Sequence, residues 1–167
     1  NVVIQSCTTG IRLVDSYQVT VEMGTYLYQS QIMNCDRGIE ILEGSSSNII
    51  RNGIISANVL DGIAADGSSE TPDDNIIETM QVTGNFGNGI IFQAGFGNEV
   101  INSVITHNNY GDTASSIPSG GYGGIAIFNG IASIHWNEIH SNNCWDVYTE
   151  DALAGSEIEG SYNYWGD

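Results

Sequence analysis

Lysine is absent from this 167-residue chain, and Arg12, Arg37 and Arg51 stand alone against 20 Asp and Glu, for a formal net charge of −17. That balance excludes a nucleic-acid partner, because neutralising a polyphosphate and releasing its counterions requires a basic stripe. Anionic membranes and acidic polysaccharides are repelled by the same field unless divalent cations bridge them. No apolar run approaches the roughly 18 residues needed to span a bilayer, so membrane insertion is not expected, and the N-terminus lacks the basic-then-apolar pattern of a signal peptide. Proline is scarce, at Pro72 and Pro118, whereas glycine reaches 21 residues and asparagine 17. Such a composition suits many short strands joined by tight turns, and 41% apolar content suffices for one domain, residues 1–167, with its own core.

The chain repeats itself. Ile4-Gln5-Ser6-Cys7-Thr8-Thr9-Gly10-Ile11 aligns without a gap on Ile32-Met33-Asn34-Cys35-Asp36-Arg37-Gly38-Ile39. The series continues at Ile55, Val82, Ile105 and Ile139, each followed three residues later by asparagine. Five residues upstream runs an apolar row of Leu27, Ile50, Ile77, Val100 and Ile134. Downstream come Ile11, Ile39, Ile63, Ile90, Ile125 and Val147, and two positions further Leu13, Ile41, Ala65, Phe92 and Ile127. Alternation of period two argues strands, and the Gly and Asn content excludes helices. Three apolar ladders per repeat predict three sheets around one core: an all-β fold, a right-handed parallel β-helix of about six coils.

One polar row keeps a fixed place in the turn: Asn58, Asn85, Asn108 and Asn142, with Cys7 and Cys35 in the first two coils. Asparagines stacked about 4.8 Å apart bond to one another and to turn backbone, and Asn tolerates left-handed corners, so the row is read as structural. Cys7 and Cys35, in one position of adjacent coils, should have Cα atoms about 5 Å apart, within disulfide range. A bridge and a reduced stack both fit that spacing, with the bridge preferred. Cys144 lies several coils away and should remain a free thiol.

The Asn-then-Gly-Ile pattern, with the closing Asn163-Tyr164-Trp165-Gly166-Asp167, resembles the parallel β-helix repeat family. That family includes pectate lyases, polygalacturonases, mannuronan epimerases, phage tailspikes and bacterial and archaeal surface proteins. The resemblance implies the fold and leaves function open, since the scaffold hosts enzymes, adhesins and fibres alike. Of the polygalacturonase-like motifs only an Asp pair is present, Asp73-Asp74, in an acidic loop. A lyase-like mechanism needs a base beside Ca²⁺-holding carboxylates. Arg37 and Arg51 are the candidates, with surface charge balance as the alternative reading. No Asp-Pro-His-Asp epimerase signature and no Gly-x-Ser-x-Gly elbow occurs. His107 and His140 fall one position apart in aligned coils while His135 faces another sheet, which argues against a three-histidine metal site. No catalytic residue is therefore assigned.

Two loops interrupt the repeat, Ala64 to Asp74 and Gly111 to Gly123. The first carries Asp66, Glu70, Asp73 and Asp74, a weak Ca²⁺ candidate, Ca²⁺ being the one cofactor considered. Aromatics concentrate late, in Trp136, Trp145, Tyr148, Tyr162, Tyr164 and Trp165; Trp136, Trp145, Tyr162 and Trp165 are candidate glycan contacts, or a cover for the last coil. Neither end shows a capping segment, so the chain is expected to be a piece of a longer solenoid or to pair through its ends. The expectation is an extracellular or cell-surface structural or adhesive module, self-associating end to end into a filament or binding glycan. The alternative is a carbohydrate-active enzyme or glycan-binding module of lyase or epimerase type.

Overall fold

The computed structural model describes residues 2–25, 28–67, 70–110, 122–150 and 158–166. Six coils follow one another. The first holds β1 (Val3–Gln5), β2 (Thr9–Leu13) and β3 (Thr20–Glu22), and a short strand β4 (Gly24–Thr25) then folds back antiparallel on the start of β5. The second coil is β5 (Tyr28–Met33), β6 (Arg37–Leu42) and β7 (Ile49–Arg51), and the third is β8 (Gly53–Ser56), β9 (Ile63–Asp66) and β10 (Ile76–Glu78). The fourth is β11 (Gln81–Thr83), β12 (Ile90–Phe92) and β13 (Gly95–Ile101), and the fifth β14 (Val104–Thr106), β15 (Gly123–Phe128) and β16 (Gly130–His135). The sixth is β17 (Glu138–His140), β18 (Trp145–Glu150) and β19 (Ile158–Ser161). Corresponding strands pair in parallel into three sheets, beginning with β1, β2 and β3 respectively.

Register follows the hydrophobic rows. Ile4, Ile32, Ile55, Val82, Ile105 and Ile139 are successive partners in the first sheet. Ile11, Ile39, Ile63, Ile90, Ile125 and Val147 are successive partners in the second. These side chains point inward to one continuous core, with Ile32, Ile39, Ile55, Ile63, Ile90 and Ile105 fully buried. The third-sheet row begins at Val21, the partner of Ile50, and not at Leu27, which lies outside the described residues. The β4 turn lengthens the first coil, so the five-residue spacing that holds in the later coils does not hold before Ile32.

Left-handed backbone marks the first corner of all six coils, one residue before the position assigned to it from the sequence. Ser6, Asn34, Ala57, Gly84, His107 and Ser141 have φ between 53° and 66°, each directly preceding Cys7, Cys35, Asn58, Asn85, Asn108 and Asn142. The asparagine turns inward while its predecessor takes the bend. Its amide then bonds the next coil: Asn58 N and Nδ2 donate to Asn85 Oδ1 at 3.1 and 2.8 Å, and Asn85 N and Nδ2 to Asn108 Oδ1 at 3.2 and 2.9 Å. Asn108 repeats the pattern on Asn142 at 3.0 Å for both bonds, and Cys35 N donates to Asn58 Oδ1 at 3.0 Å.

The Gly-Ile pattern is part of the same device. A Cβ at Gly62 would lie 2.8 Å from Asn85 Nδ2, and one at Gly89 2.8 Å from Asn108 Nδ2, so the glycines make room for the amides. The second corner carries its own row, Asn48 onto Asn75 onto Asn98, and the third runs from Ser103 to Asn137 to Asn163. Neither row was identified from the sequence. At the first coil Cys7 and Cys35 are joined by a disulfide, with Cα atoms 4.5 Å apart, while Cys144 is an exposed free thiol.

Candidate functional site

Strands covered on one face only alternate apolar and polar, but the second sheet breaks that rule. Its outward row runs Arg12, Glu40, Ala64, Ile91, Ala126 and Tyr148. Ala64, Ile91 and Ala126 are buried there and form a small second apolar cluster with Tyr122 and Phe128. Three rings gather above it: Tyr122 stacks on Tyr148 with centroids 4.3 Å apart and meets Phe128 edge-on at 4.9 Å. Beside them opens a cleft of about 420 Å³ whose walls include Leu60, Ile91, Tyr122 and Phe128 on the apolar side and Arg37, Asp61 and Gln93 on the polar side.

The polar wall belongs to a line of hydrogen bonds that crosses the coils. Arg12 Nε donates to Glu40 Oε2 at 2.7 Å, Thr9 Oγ1 to the same oxygen at 3.0 Å, and Arg37 Nη1 to Glu40 Oε1 at 2.9 Å. Further along, Asn88 N and Nδ2 donate to Asp61 Oδ1 at 3.0 and 2.9 Å, and Asn88 Oδ1 accepts from Tyr122 N and Gly123 N at 2.6 and 3.0 Å. The line breaks once, where Arg37 Nε stands 3.8 Å from Asp61 Oδ2. That Nε–H is buried and has no hydrogen-bond partner. Burial pushes the Asp61 carboxyl above its ordinary range, against the pull of its Asn88 bonds and of Arg37. Burial works against the Glu40 charge too, but there the Arg37, Arg12 and Thr9 bonds prevail and hold the carboxyl below its usual value.

The residues singled out in the sequence fall in several places. Arg37 opens β6, and its guanidinium joins Glu40 at the cleft. Arg51 lies on the third sheet between Glu22, at 2.6 Å, and Glu78, at 3.3 Å, away from the cleft. Trp136 and Tyr162, both exposed and both at φ 59°, stack face to face with centroids 4.2 Å apart on adjacent third corners. Trp145 opens the last strand of the second sheet instead, and Trp165 follows the last described strand, both exposed, so the four aromatics do not share one surface.

Ala64 to Asp66 belong to β9, so the first loop starts later than the sequence suggested. Asp73 accepts from Thr71 Oγ1 and from Phe96 N, and among the described residues no three His, Cys, Asp or Glu side chains are placed to hold a metal ion. No three of Asp66, Glu70, Asp73 and Asp74 stand together in such a group. His107 and Thr106, the partner of His140, are neighbours, while His135 pairs with Ser161 on the third sheet. Most of the Gly111 to Gly123 loop lies outside the described residues.

Three parallel sheets wound coil upon coil, with inward asparagine rows at the corners, define a parallel β-solenoid. Residues 1–163 match the family described as a right-handed β-helix region, and the chain belongs to it. No curated protein and no solved structure matches the chain.

Proposed function

We propose that this solenoid is an extracellular adhesive module that binds carbohydrate in the cleft on the outer face of its second sheet. The observation that carries the reading is the pairing of an apolar wall, Tyr122, Phe128, Ile91 and Leu60, with the charged pair Arg37 and Asp61 in one concavity. A pyranose ring has the same two sides, an apolar C–H face and an equator of hydroxyls, and binding pockets combine apolar lining with a few fixed polar groups. A volume of about 420 Å³ is within the range of small-ligand sites and admits one or two sugar units. The disulfide of the first coil suits an oxidising exterior.

Calorimetric titration with a panel of plant and microbial oligosaccharides tests the reading. Saturable binding that Phe128→Ala weakens at least tenfold supports it, and an absence of binding across the panel refutes it. Stacking of solenoids into a filament is the second reading, favoured by the exposed Val3, Val14 and Tyr17 along the edge of the first coil. Electron microscopy tests it: filaments repeating at six rungs, about 29 Å, support it, and dispersed particles at every concentration refute it.

A further inference from the structure

We infer that the carbohydrate site continues along the solenoid axis into a second hollow on the same sheet, and that this hollow takes an ammonium group, so that the ligand is an amino-sugar oligomer with free amines. The inference rests on the carbohydrate reading of the cleft and names its class of sugar.

Register joins the two concavities. Leu42 is the partner of Asp66, and Ala65, Phe92 and Ile127 are partners in turn, so the residues that follow them continue the row. Leu42, Asp66, Gln93 and Phe128 thus form one outward row on four successive coils. Gln93 and Phe128 line the cleft, whereas Leu42 and Asp66, with Val14 and Glu43, line a hollow of about 290 Å³. Asp66 stands two coils from Phe128, roughly 10 Å along the axis at about 4.8 Å per coil. A linear oligomer with one ring on Phe128 therefore brings its following units over Asp66.

The lining of the hollow selects the group. Val14 is exposed and Leu42 half-buried, an apolar surface for the C–H face of a pyranose. Among the described residues the Asp66 carboxylate takes part in no hydrogen bond or ion pair. The exposed carboxylate of Glu43 lines the same hollow. A carboxylate only accepts; an ammonium brings it three donors and the opposite charge, a hydroxyl one donor and no charge, and a uronate or sulfate a like charge. The chain itself has little to offer Asp66. It contains no lysine, and its three arginines are engaged elsewhere, Arg12 with Glu40, Arg37 with Glu40 and Asp61, and Arg51 with Glu22 and Glu78. The counter-charge therefore comes with the ligand, drawn by the field of a chain of net charge −17. Such a sugar contrasts with the uronates that the lyase and epimerase resemblance implies.

The test uses the intact chain and four probes titrated by calorimetry at pH 5.5: chitosan oligomers, fully N-acetylated oligomers of the same length, cello-oligosaccharides and oligolysine. In 50 mM NaCl the chitosan oligomer should bind at least tenfold more tightly than its acetylated counterpart or the cello-oligosaccharide. That advantage should shrink in 500 mM NaCl, where screening cuts the attraction. Asp66→Asn keeps the shape of the hollow and removes its charge, and should abolish most of the advantage with an unchanged circular dichroism spectrum. Glu99→Gln, the same loss of charge on the third sheet, should leave the advantage in place. Equal affinity for the free-amine and acetylated oligomers, or equal losses from Asp66→Asn and Glu99→Gln, overturns the inference and leaves the cleft as a carbohydrate site. Oligolysine binding more tightly than the chitosan oligomer overturns it in favour of a basic peptide. Silence of every probe overturns both the inference and the carbohydrate reading. The wild-type comparison decides the matter even where Asp66→Asn fails to fold.

Discussion

Asn85→Ala is the sharpest probe of the fold, because Asn85 sits in the middle of the row and is fully buried. Its Oδ1 accepts from Asn58 N at 3.1 Å and from Asn58 Nδ2 at 2.8 Å, and the substitution strips both donors of their acceptor inside the core. Its Nδ2 also gives up the bond to Asn108 Oδ1, although Asn108 Oδ1 keeps its bond from the backbone of residue 85. Each buried donor left without a partner costs about 1 to 3 kcal/mol, so two orphans predict a loss on the order of 4 kcal/mol. For a domain of this size that is a large share of total stability. Urea unfolding followed by circular dichroism should show a lowered midpoint. A broadened transition is also expected if the halves of the solenoid lose their coupling through the fourth coil. A change below about 1 kcal/mol would refute the claim that the row carries buried, otherwise unmet hydrogen bonds.

Gly84→Asn should be neutral or stabilising by up to about 0.5 kcal/mol: Gly84 has φ 66°, nothing lies within 4 Å of a Cβ built there, and asparagine tolerates that backbone with less freedom in the unfolded chain. Gly62→Ala, judged by the same urea titration, should instead cost about 1 to 3 kcal/mol by overpacking against Asn85 and Val82. Thiol titration of the unfolded chain should find one free thiol before reduction and three after. Reduction should lower stability by about 3 to 4 kcal/mol, the loop-closure entropy of a 28-residue separation; an unchanged melting temperature would refute it.

Between pH 3 and 7 two buried carboxylates act in opposite senses. Glu40, held low, adds stability that is lost as pH falls from 4.5 through its lowered value. Asp61, held high, withdraws stability as pH rises from 3.8 through its raised value. Asp61→Asn should flatten that second slope in denaturant titrations, and superimposable profiles would refute the burial argument.

The inward rows were legible because a strand exposes its alternation directly. Ile39 and Ile41, or Ile90 and Phe92, flank a residue of the other face, and the Gly-Ile step recurs at a corner of nearly constant length. The second and third asparagine rows carried a signal of the same kind, Asn48-Ile49-Ile50 repeating as Asn75-Ile76-Ile77, but each strand there is short and lends the motif little support. The cleft was less visible. Its outer wall is announced by the second-sheet strands Ile63-Ala64-Ala65, Ile90-Ile91-Phe92 and Ile125-Ala126-Ile127, which are apolar at consecutive positions as only strands covered on both faces are. That departure from alternation was the available evidence that something packs outside the coil. Arg37 beside Asp61 was within reach, because Arg37-Gly38-Ile39 aligns with Asp61-Gly62-Ile63 in the row already read, although the alignment does not show that a cleft opens there.

The polar line keeps the register of the second sheet although the corner before it changes length. From Asn58 to Ile63 and from Asn85 to Ile90 the first corner takes five steps, with Asp61 and Asn88 each three residues past the asparagine. From Cys35 to Ile39 it takes four, and Arg37 stands two residues past the cysteine. Asp61 and Asn88 are consequently in phase and bond directly, coil upon coil. Counted back from the partnered Ile39, Ile63 and Ile90, however, Arg37, Asp61 and Asn88 all stand two residues before the first inward residue of the strand, so Arg37 is in phase with Asp61, and its guanidinium is shared between Glu40 at 2.9 Å and Asp61 at 3.8 Å. The place where the row changes from cysteine to asparagine is the place where the corner gains a residue, and the extra residue is taken up before Asp61, which keeps its place two residues ahead of Ile63. Inserting one residue between Asp36 and Arg37 lengthens the corner without moving Arg37 relative to Ile39, and should leave Arg37 beside Glu40 and Asp61 and the inward rows intact. Loss in that variant of the acid-side destabilisation that Glu40 confers, followed by denaturant titration between pH 3 and 7, would show that Arg37 had left Glu40 and would refute this account of the register.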